Sequence, residues 1–228
     1  MKKVLILTII LTTAVCVARA QDDPEYRAEV GVGLGIVSYH GDLGGGILEN
    51  LKPLYSVVAR YKFNPRMGLA LYAGYGAISG SSENTETWYP DLDGETIEFN
   101  NSLVDASLRF EYSFWPYGTE REYRGAKPLS PYVTIGFGFS HSDTPKGGVF
   151  TTQLPIGAGV KYKVSTRLNM ALEWTMHFTS SDKLENVDDP YYIESSGIFK
   201  NTDCYSVLQL AITYDVWAKC RVCNNDRF

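Results

Sequence analysis

The chain has 228 residues, a formal net charge of −5 and an aromatic- and glycine-rich composition, with 16 Tyr, 10 Phe and 21 Gly. The length suits one large β domain, and we find no phosphate-binding loop and no basic patch of the kind that binds nucleic acid. No run of 18 apolar residues is present, which excludes a membrane-spanning helix.

The N-terminus begins with two lysines, continues with an apolar run and ends in Ala18-Arg19-Ala20. This order predicts a secretory signal peptide over residues 1–20, cleaved before Gln21. A lipoprotein signal ending at Cys16 is disfavoured, because the preceding Thr13-Ala14-Val15 lacks the expected small residue. The mature chain is therefore predicted to be exported, and it would cross a membrane only as a barrel.

Alternation of apolar and polar side chains is the main structural signal. It is clearest at 103–115, where Val104, Leu108 and Phe110 alternate with Asp105, Arg109 and Glu111. A period of two is typical of a β-strand. The pattern predicts eight strands: Ala28–His40, Leu54–Phe63, Met67–Ile78, Leu103–Trp115, Pro131–His141, Gln153–Val164, Leu168–Thr179 and Cys204–Trp217.

One parity of these strands is continuously apolar and aromatic, whereas the other is polar, charged or glycine. A soluble lipocalin-like barrel would show an apolar lumen, so this arrangement is inside out for a soluble ligand carrier. The sequence predicts an all-β fold, an eight-stranded antiparallel transmembrane up-and-down β-barrel. The barrel would occupy residues 21–217, and residues 218–228 would form a periplasmic tail.

The connections differ in length and charge. The long segments 41–53, 80–99, 142–150 and 180–203 sum to −11, whereas the segments 64–66, 116–130 and 165–167, with both terminal segments, sum to +3. Long extracellular loops and short periplasmic turns are typical of outer-membrane barrels, which predicts a cell outer membrane location. The basic side either reflects general drift near anionic surfaces or meets a protein partner.

Ten charged side chains point into the predicted lumen. Because a lone buried charge is costly, they are expected to pair as a closed plug and not as an ion-conducting pore. Arg109 is expected to pair with one of four carboxylates. The predicted lumen charges are Glu29, Arg60, Lys62, Asp105, Arg109, Glu111, Lys161, Lys163, Glu173 and Asp215, and the candidates for Arg109 are Asp105, Glu111, Glu173 and Asp215.

An enzymatic barrel would need a base near an acid or a nucleophile. His40, His141 and His177 all fall near the extracellular strand ends, but no nucleophile motif or metal-ligand spacing accompanies them. They are interpreted as hydrogen-bonded rim residues. We predict no enzymatic activity, no catalytic or metal site and no cofactor.

The segment 116–130 is long for a periplasmic turn. Because Tyr and Arg are enriched at binding hot spots, it is a candidate docking surface for a protein, and a plain solvated loop is the alternative. Its candidate contact residues are Tyr117, Arg121, Tyr123, Arg124 and Lys127.

Three cysteines remain after signal removal. Cys204 begins strand 8, and Cys220 follows the other end of that strand. At a rise of about 3.3 Å per residue, their Cα atoms would lie roughly 50 Å apart, whereas a disulfide needs Cα atoms within about 7 Å. Cys220 and Cys223 could bond each other, or one of them could form an intermolecular disulfide with a periplasmic partner, which we favour. A reducible higher-mass band on non-reducing gels, lost in a Cys220→Ser/Cys223→Ser variant, would show that tether.

Several stretches resemble the PorG-type outer-membrane barrels of the type IX secretion system, within the OmpA-like barrels. The resemblance covers about residues 28–223 and consists of individually diffuse motifs in a fixed order. These motifs are SYHGDL at 38–43, FNPRMGLALYAGYGAISG at 63–80, SPYVTIGFGF at 130–139, LPIGAGVKYKVSTRLNMALEW at 154–174 and SSDKLENV at 180–187.

The resemblance implies a non-enzymatic component of a protein secretion machine that exports cargo with C-terminal signals. It also implies contact with a periplasmic ring built from a lipoprotein and its partner protein. The sequence therefore predicts an outer-membrane anchor for periplasmic subunits. A stand-alone adhesion barrel that works through its acidic loops is the alternative, and a barrel enzyme ranks third.

Overall fold

A computed structural model of the protein describes residues 24, 26–40, 50–81, 98–118, 126–144, 147–180 and 203–218. The predicted signal peptide and the tail cysteines Cys220 and Cys223 lie outside these ranges. Within them, no helix is long and apolar enough to cross a membrane.

Eight antiparallel strands close into one barrel, because each strand pairs with its neighbours in sequence and β1 pairs with β8. Closure leaves no free sheet edge around the wall, which is what a strand-built membrane protein requires. The strands are β1 (Ala28–His40), β2 (Lys52–Lys62), β3 (Met67–Ser81), β4 (Glu98–Ser113), β5 (Leu129–Thr144), β6 (Gly147–Lys163), β7 (Leu168–Thr179) and β8 (Cys204–Asp215).

Tyr26, Ala218 and the connecting residues 63–66, 114–118, 126–128 and 164–167 lie at one end of the barrel, which we name the turn end. The opposite end is the loop end. At the turn end, the Asn64 side-chain oxygen accepts hydrogen bonds from the backbone N–H groups of Arg66 and Met67, both at 2.8 Å. This asparagine turn is the local reason that β2 and β3 are joined so tightly.

The predicted strand number and order are confirmed, and β1 and β7 have the predicted bounds. At the loop end, β3, β4, β5 and β6 are longer than predicted. Residues 142–144 and 147–150 belong to β5 and β6, so the prediction of a loop over 142–150 is wrong. Backbone pairing continues from Ser142 opposite Val149 to Thr144 opposite Gly147, a register that alternation alone did not indicate.

The outer face is apolar along its whole height, as the parity predicted. Val32, Leu34 and Tyr75 are each about 60 % exposed. Aromatic pairs lie toward both rims, with Tyr112 and Phe114 near the turn end and Phe139 stacked on Phe150 near the loop end. An apolar band between aromatic girdles is the surface that a bilayer surrounds.

The lumen differs from its prediction at the loop end. Beside buried polar side chains such as Asn101 and Ser142, a cluster of apolar residues packs inside the barrel there, and we name it the apolar layer. Leu103 shares the parity of Asp105, which the alternation predicted to be the polar face, but it packs in the apolar layer because the inward parity changes character along the strands. Its buried members are Val37, Tyr39, Leu54, Ile78, Phe99, Leu103, Tyr205 and Val207.

Candidate functional site

The lumen near the turn end holds a connected group of ion pairs, which we name the turn-end network. Arg60 contacts both Glu29 and Glu111, the latter at 2.6 Å from its Nε. Lys62 lies 2.8 Å from Glu29 and 2.7 Å from Asp215. Lys161 contacts Glu111, and Lys163 lies 2.8 Å from Asp215.

The charges of the turn-end network do not cancel. Four cations (Arg60, Lys62, Lys161 and Lys163) face three carboxylates (Glu29, Glu111 and Asp215), which leaves one positive charge in excess. The remaining lumen charges, one Arg and two carboxylates, carry the compensating negative charge closer to the loop end. These ten charges therefore cancel as a set, with the positive excess toward the turn end and the negative excess toward the loop end.

Arg109 pairs with Glu173, at 2.8 Å, out of the four carboxylates proposed for it. Two tyrosines fasten this pair to the turn-end network. The hydroxyl of Tyr132 donates to Glu173 at 2.6 Å, and the hydroxyl of Tyr72 contacts Glu173 at 3.2 Å and Glu111 at 3.3 Å. Both tyrosine rings also lie beneath cations, which adds an attractive contact in each case.

A second polar group lies between Arg109 and the apolar layer. His177 Nδ1 is 3.3 Å from Asp105, and the Tyr205 hydroxyl lies 2.8 Å from an Asp105 carboxylate oxygen and 2.6 Å from Gln153 Oε1. His177 is fully buried in the lumen. Its interpretation as a rim residue is therefore wrong, because inward strand parity carries the ring below the barrel mouth.

This group includes an acid, an imidazole and a hydroxyl, since His177 Nε2 also lies 3.1 Å from Thr175 Oγ1. A hydrolase would need the hydroxyl to reach a substrate. Thr175 and His177 are both 0 % exposed. The recess beside them has room for about one water-sized group, so no substrate can approach the hydroxyl. We assign these residues to packing of the lumen.

The other two histidines lie at the loop end. His40 Nε2 is 3.0 Å from Ser206, and His141 Nε2 is 3.1 Å from Asp143. Cys204 is a free thiol and donates to the backbone oxygen of His40 at 3.0 Å. Within the described ranges no cluster of three or more His, Cys, Asp or Glu side chains could hold a metal ion.

The proposed docking segment 116–130 begins at the floor of the lumen. The Tyr117 hydroxyl donates to Asn169 at 2.8 Å, and its ring lies 5.6 Å from the Lys62 ammonium. Lys127 is exposed and lies 4.5 Å from the Trp115 ring centre. Arg121, Tyr123 and Arg124 lie outside the described residues. Of the proposed contact residues, Tyr117 therefore closes the barrel, and Lys127 faces outward.

Two residues at the turn end were missed by sequence reasoning. Tyr26 is buried and forms a backbone bridge with Ala218, while its ring lies 5.2 Å from the Lys163 ammonium. Asn64 is buried next to the turn-end network. A turn asparagine is an ordinary sequence feature, and only the closed wall shows that its side chain faces inward.

A protein-family comparison matches residues 7–199 to the "Outer membrane protein beta-barrel domain". The chain belongs to this family. The family is defined by its barrel and not by a reaction, and it places the protein in the outer membrane. Such barrels carry short periplasmic turns, so we expect the turn end to face the periplasm and the loop end to face the cell exterior.

Solved structures of outer membrane barrels resemble this one. Neisserial surface protein A (NspA) is 13 % identical over 83 % of this chain and 97 % of its own, with a TM-score of 0.49. OprG from Pseudomonas aeruginosa is 13 % identical over 87 % of this chain and 99 % of its own, with a TM-score of 0.46. No curated protein matches this outer membrane barrel.

Proposed function

We propose that this outer membrane barrel anchors and organises the periplasmic ring subunits of a type IX-like protein secretion machine. The ordered PorG-type motifs along the chain support the proposal. They indicate that the chain contacts a periplasmic lipoprotein and its partner protein. The barrel itself would transport nothing, since its lumen is filled by paired charges and apolar side chains.

The observation that carries the proposal is the construction of the turn end. Closing a barrel needs only tight turns, as at 63–66 and 164–167. At the third connection the chain instead continues past the ends of β4 and β5, and Tyr117 and Lys127 form a backbone bridge beyond the last barrel pairing. Gly118 donates to the Lys127 oxygen at 3.1 Å, and Lys127 donates to the Pro116 oxygen at 2.8 Å. Residues 119–125 connect the two sides of this bridge, and we propose them as the segment that docks the periplasmic subunits.

The two chain ends leave the barrel together beside that extension. Tyr26 pairs with Ala218, and Arg27 donates to the Trp217 oxygen at 2.8 Å. The tail with Cys220 and Cys223 therefore starts at the same end as the extended connection. An intermolecular disulfide from this tail to a ring subunit stays a prediction, because both cysteines lie outside the described residues.

The test replaces residues 119–125 by a Gly/Ser segment of equal length and keeps Tyr117 and Lys127 in place. Because the bridge and the lumen contacts of Tyr117 remain, the barrel should fold, whereas crosslinked co-purification of periplasmic subunits and cargo secretion should fall at least several-fold. The measurement is quantitative mass spectrometry of crosslinked complexes from intact cells.

The matched control replaces 83–89, an equally long segment of an acidic extracellular loop. It should leave co-purification unchanged. Unchanged co-purification and secretion in the 119–125 variant would contradict the docking role. Loss of surface attachment in the 83–89 variant alone would favour the other candidate, a stand-alone adhesion barrel whose loops carry the charge of −11.

A further inference from the structure

A recess opens into the floor of the lumen at the turn end, and we name it the turn-end recess. Its volume is about 280 Å³ with open solvent included, and its narrow part has room for about one water-sized group. One oxygen atom of a larger polar group can therefore enter it. The residues that decide its chemistry are Arg60, Lys62, Asn64, Arg66 and Lys161.

Asn64 presents an unused hydrogen-bond donor to this recess. Its side chain is buried, and its amide nitrogen has no partner among the described residues. The side-chain oxygen is held by the backbone N–H groups of Arg66 and Met67, so the opposite group cannot rotate away without breaking the turn. Buried donors are nearly always satisfied in native proteins, and an unsatisfied one in a recess marks the place of a missing acceptor.

The electrostatics of the recess favour an anionic acceptor. The adjoining turn-end network has one cation more than it has carboxylates, and the balancing negative charge lies farther away, toward the loop end. Arg66 adds a second positive charge at the rim, where its Nη1 donates to the neutral backbone oxygen of Phe114 at 2.7 Å. No carboxylate lines the recess within the described part of the chain.

We infer that the turn-end recess binds a carboxylate of a periplasmic protein, either an acidic side chain or a chain terminus. Asn64 would donate to one carboxylate oxygen, and Arg66 with the network cations would supply the charge complement. One oxygen of a planar carboxylate fits this space. A tetrahedral phosphate is bulkier around each of its oxygens, so we expect it to bind more weakly. This inference rests on the proposed docking of periplasmic subunits and assigns it a specific contact.

The binding test uses the purified full chain in zwitterionic detergent and acetate as the probe. Nitrogen-15 NMR follows the Asn64 side-chain amide while sodium acetate replaces sodium chloride at constant ionic strength. A saturable shift of this signal is expected, with inorganic phosphate at least tenfold weaker. No shift, or equal binding of phosphate, overturns the carboxylate site.

Two variants make the test specific. Asn64→Asp keeps the oxygen that holds the turn but replaces the donor by a negative oxygen, so acetate-induced shifts of the neighbouring backbone amides should be lost. Arg66→Gln keeps the Asn64 signal and should weaken acetate binding several-fold, which retains a readout if the first variant folds poorly. Asn50→Asp is the matched control. Asn50 is a second asparagine whose buried side-chain nitrogen has no partner among the described residues, and it lies at the loop end.

Cells separate this inference from the proposed function. In crosslinked co-purification, Asn64→Asp should reduce recovery of periplasmic subunits at least threefold relative to Asn50→Asp. Full recovery with Asn64→Asp, together with loss on replacing 119–125, would overturn the carboxylate contact and leave the anchoring function standing. If acetate binds only after a Glu120→Gln/Glu122→Gln change, the chain fills its own recess and the partner contact is wrong.

Discussion

Arg109 shows how the lumen satisfies a buried cation. It is 2 % exposed, and its three kinds of contact come from three different strands. Its Nη1 reaches Glu173 at 2.8 Å, its Nε donates to Ser107 at 2.9 Å, and its guanidinium lies 4.0 Å from the Tyr72 ring centre. A buried pair of this kind is weak evidence for stability, but breaking one partner is expensive because the other charge stays buried.

We therefore expect Arg109→Ala to lower the free energy of unfolding by on the order of 3 kcal/mol. Glu173 would keep only neutral donors, from Tyr72, Tyr132 and Gln209. Urea unfolding of the barrel in lipid vesicles, followed by tryptophan fluorescence, measures the change. Arg167→Ala is the control, because this arginine lies on the surface at a turn. The unfolding midpoint of this variant should equal that of the wild type.

A double variant, Arg109→Met with Glu173→Gln, removes both charges at once. It should recover much of the stability that Arg109→Ala loses, because no uncompensated charge remains. The comparison also needs the single variants Arg109→Met and Glu173→Gln. If the double variant loses more stability than these two single variants lose together, the cost comes from lost packing and not from the isolated carboxylate.

At the scale of the strands, lumen glycines set how closely neighbouring side chains can pack. A Cβ atom on Gly159 would lie 2.5 Å from the Leu172 backbone oxygen and 2.8 Å from two atoms of the Tyr132 ring. The backbone cannot give way without straining the β6–β7 pairing. Tyr132 cannot move freely either, because it donates to Glu173.

Gly159→Ala should therefore destabilise the barrel by about 1–3 kcal/mol through overpacking. Gly74→Ala is a matched control in β3, also facing the lumen, where the nearest atom to a new Cβ would be 3.6 Å away. That variant should be neutral, or slightly stabilised by its smaller unfolded-state entropy. Equal unfolding midpoints for the two variants in urea would contradict the close-packing argument.

The strand pattern was predictable because each strand has one face toward lipid and the other toward a lumen, which forces a period of two. The apolar layer was not predictable, because a period of two separates inward from outward side chains but does not show which inward side chains are apolar at each height of the lumen. Leu103 shows this, because it alternates in phase with Asp105 and still packs among apolar side chains.

The pairing inside the lumen was only partly predictable for a related reason. Sequence placed Arg109 and four carboxylates inside but could not choose Glu173, because the choice depends on the tilt and stagger of strands that are distant in sequence. The inward orientation of Tyr117 and Asn64 was unpredictable for the same reason. Their side chains face the lumen only because the wall closes above their turns.

At the scale of the whole molecule, the lumen is closed in successive layers. Tyr117 and the turn-end network occupy the periplasmic side, Arg109 with Glu173 lies above them, and the apolar layer fills the exterior side. An eight-stranded barrel is only wide enough for its own side chains. The recess between the middle and upper layers admits about one water, which does not provide a path for hydrated ions.

The purified protein should therefore show no stable conductance when it is incorporated into planar lipid bilayers. A porin reconstituted in the same membrane serves as the positive control, and heat-modifiable migration on gels shows that the barrel is folded. Tyr39→Ala with Tyr205→Ala, which opens the apolar layer, should also remain silent, because the ion pairs below it still close the lumen. Steady channel openings of uniform size in the wild type would contradict the closed lumen and make transport through the barrel the more direct function.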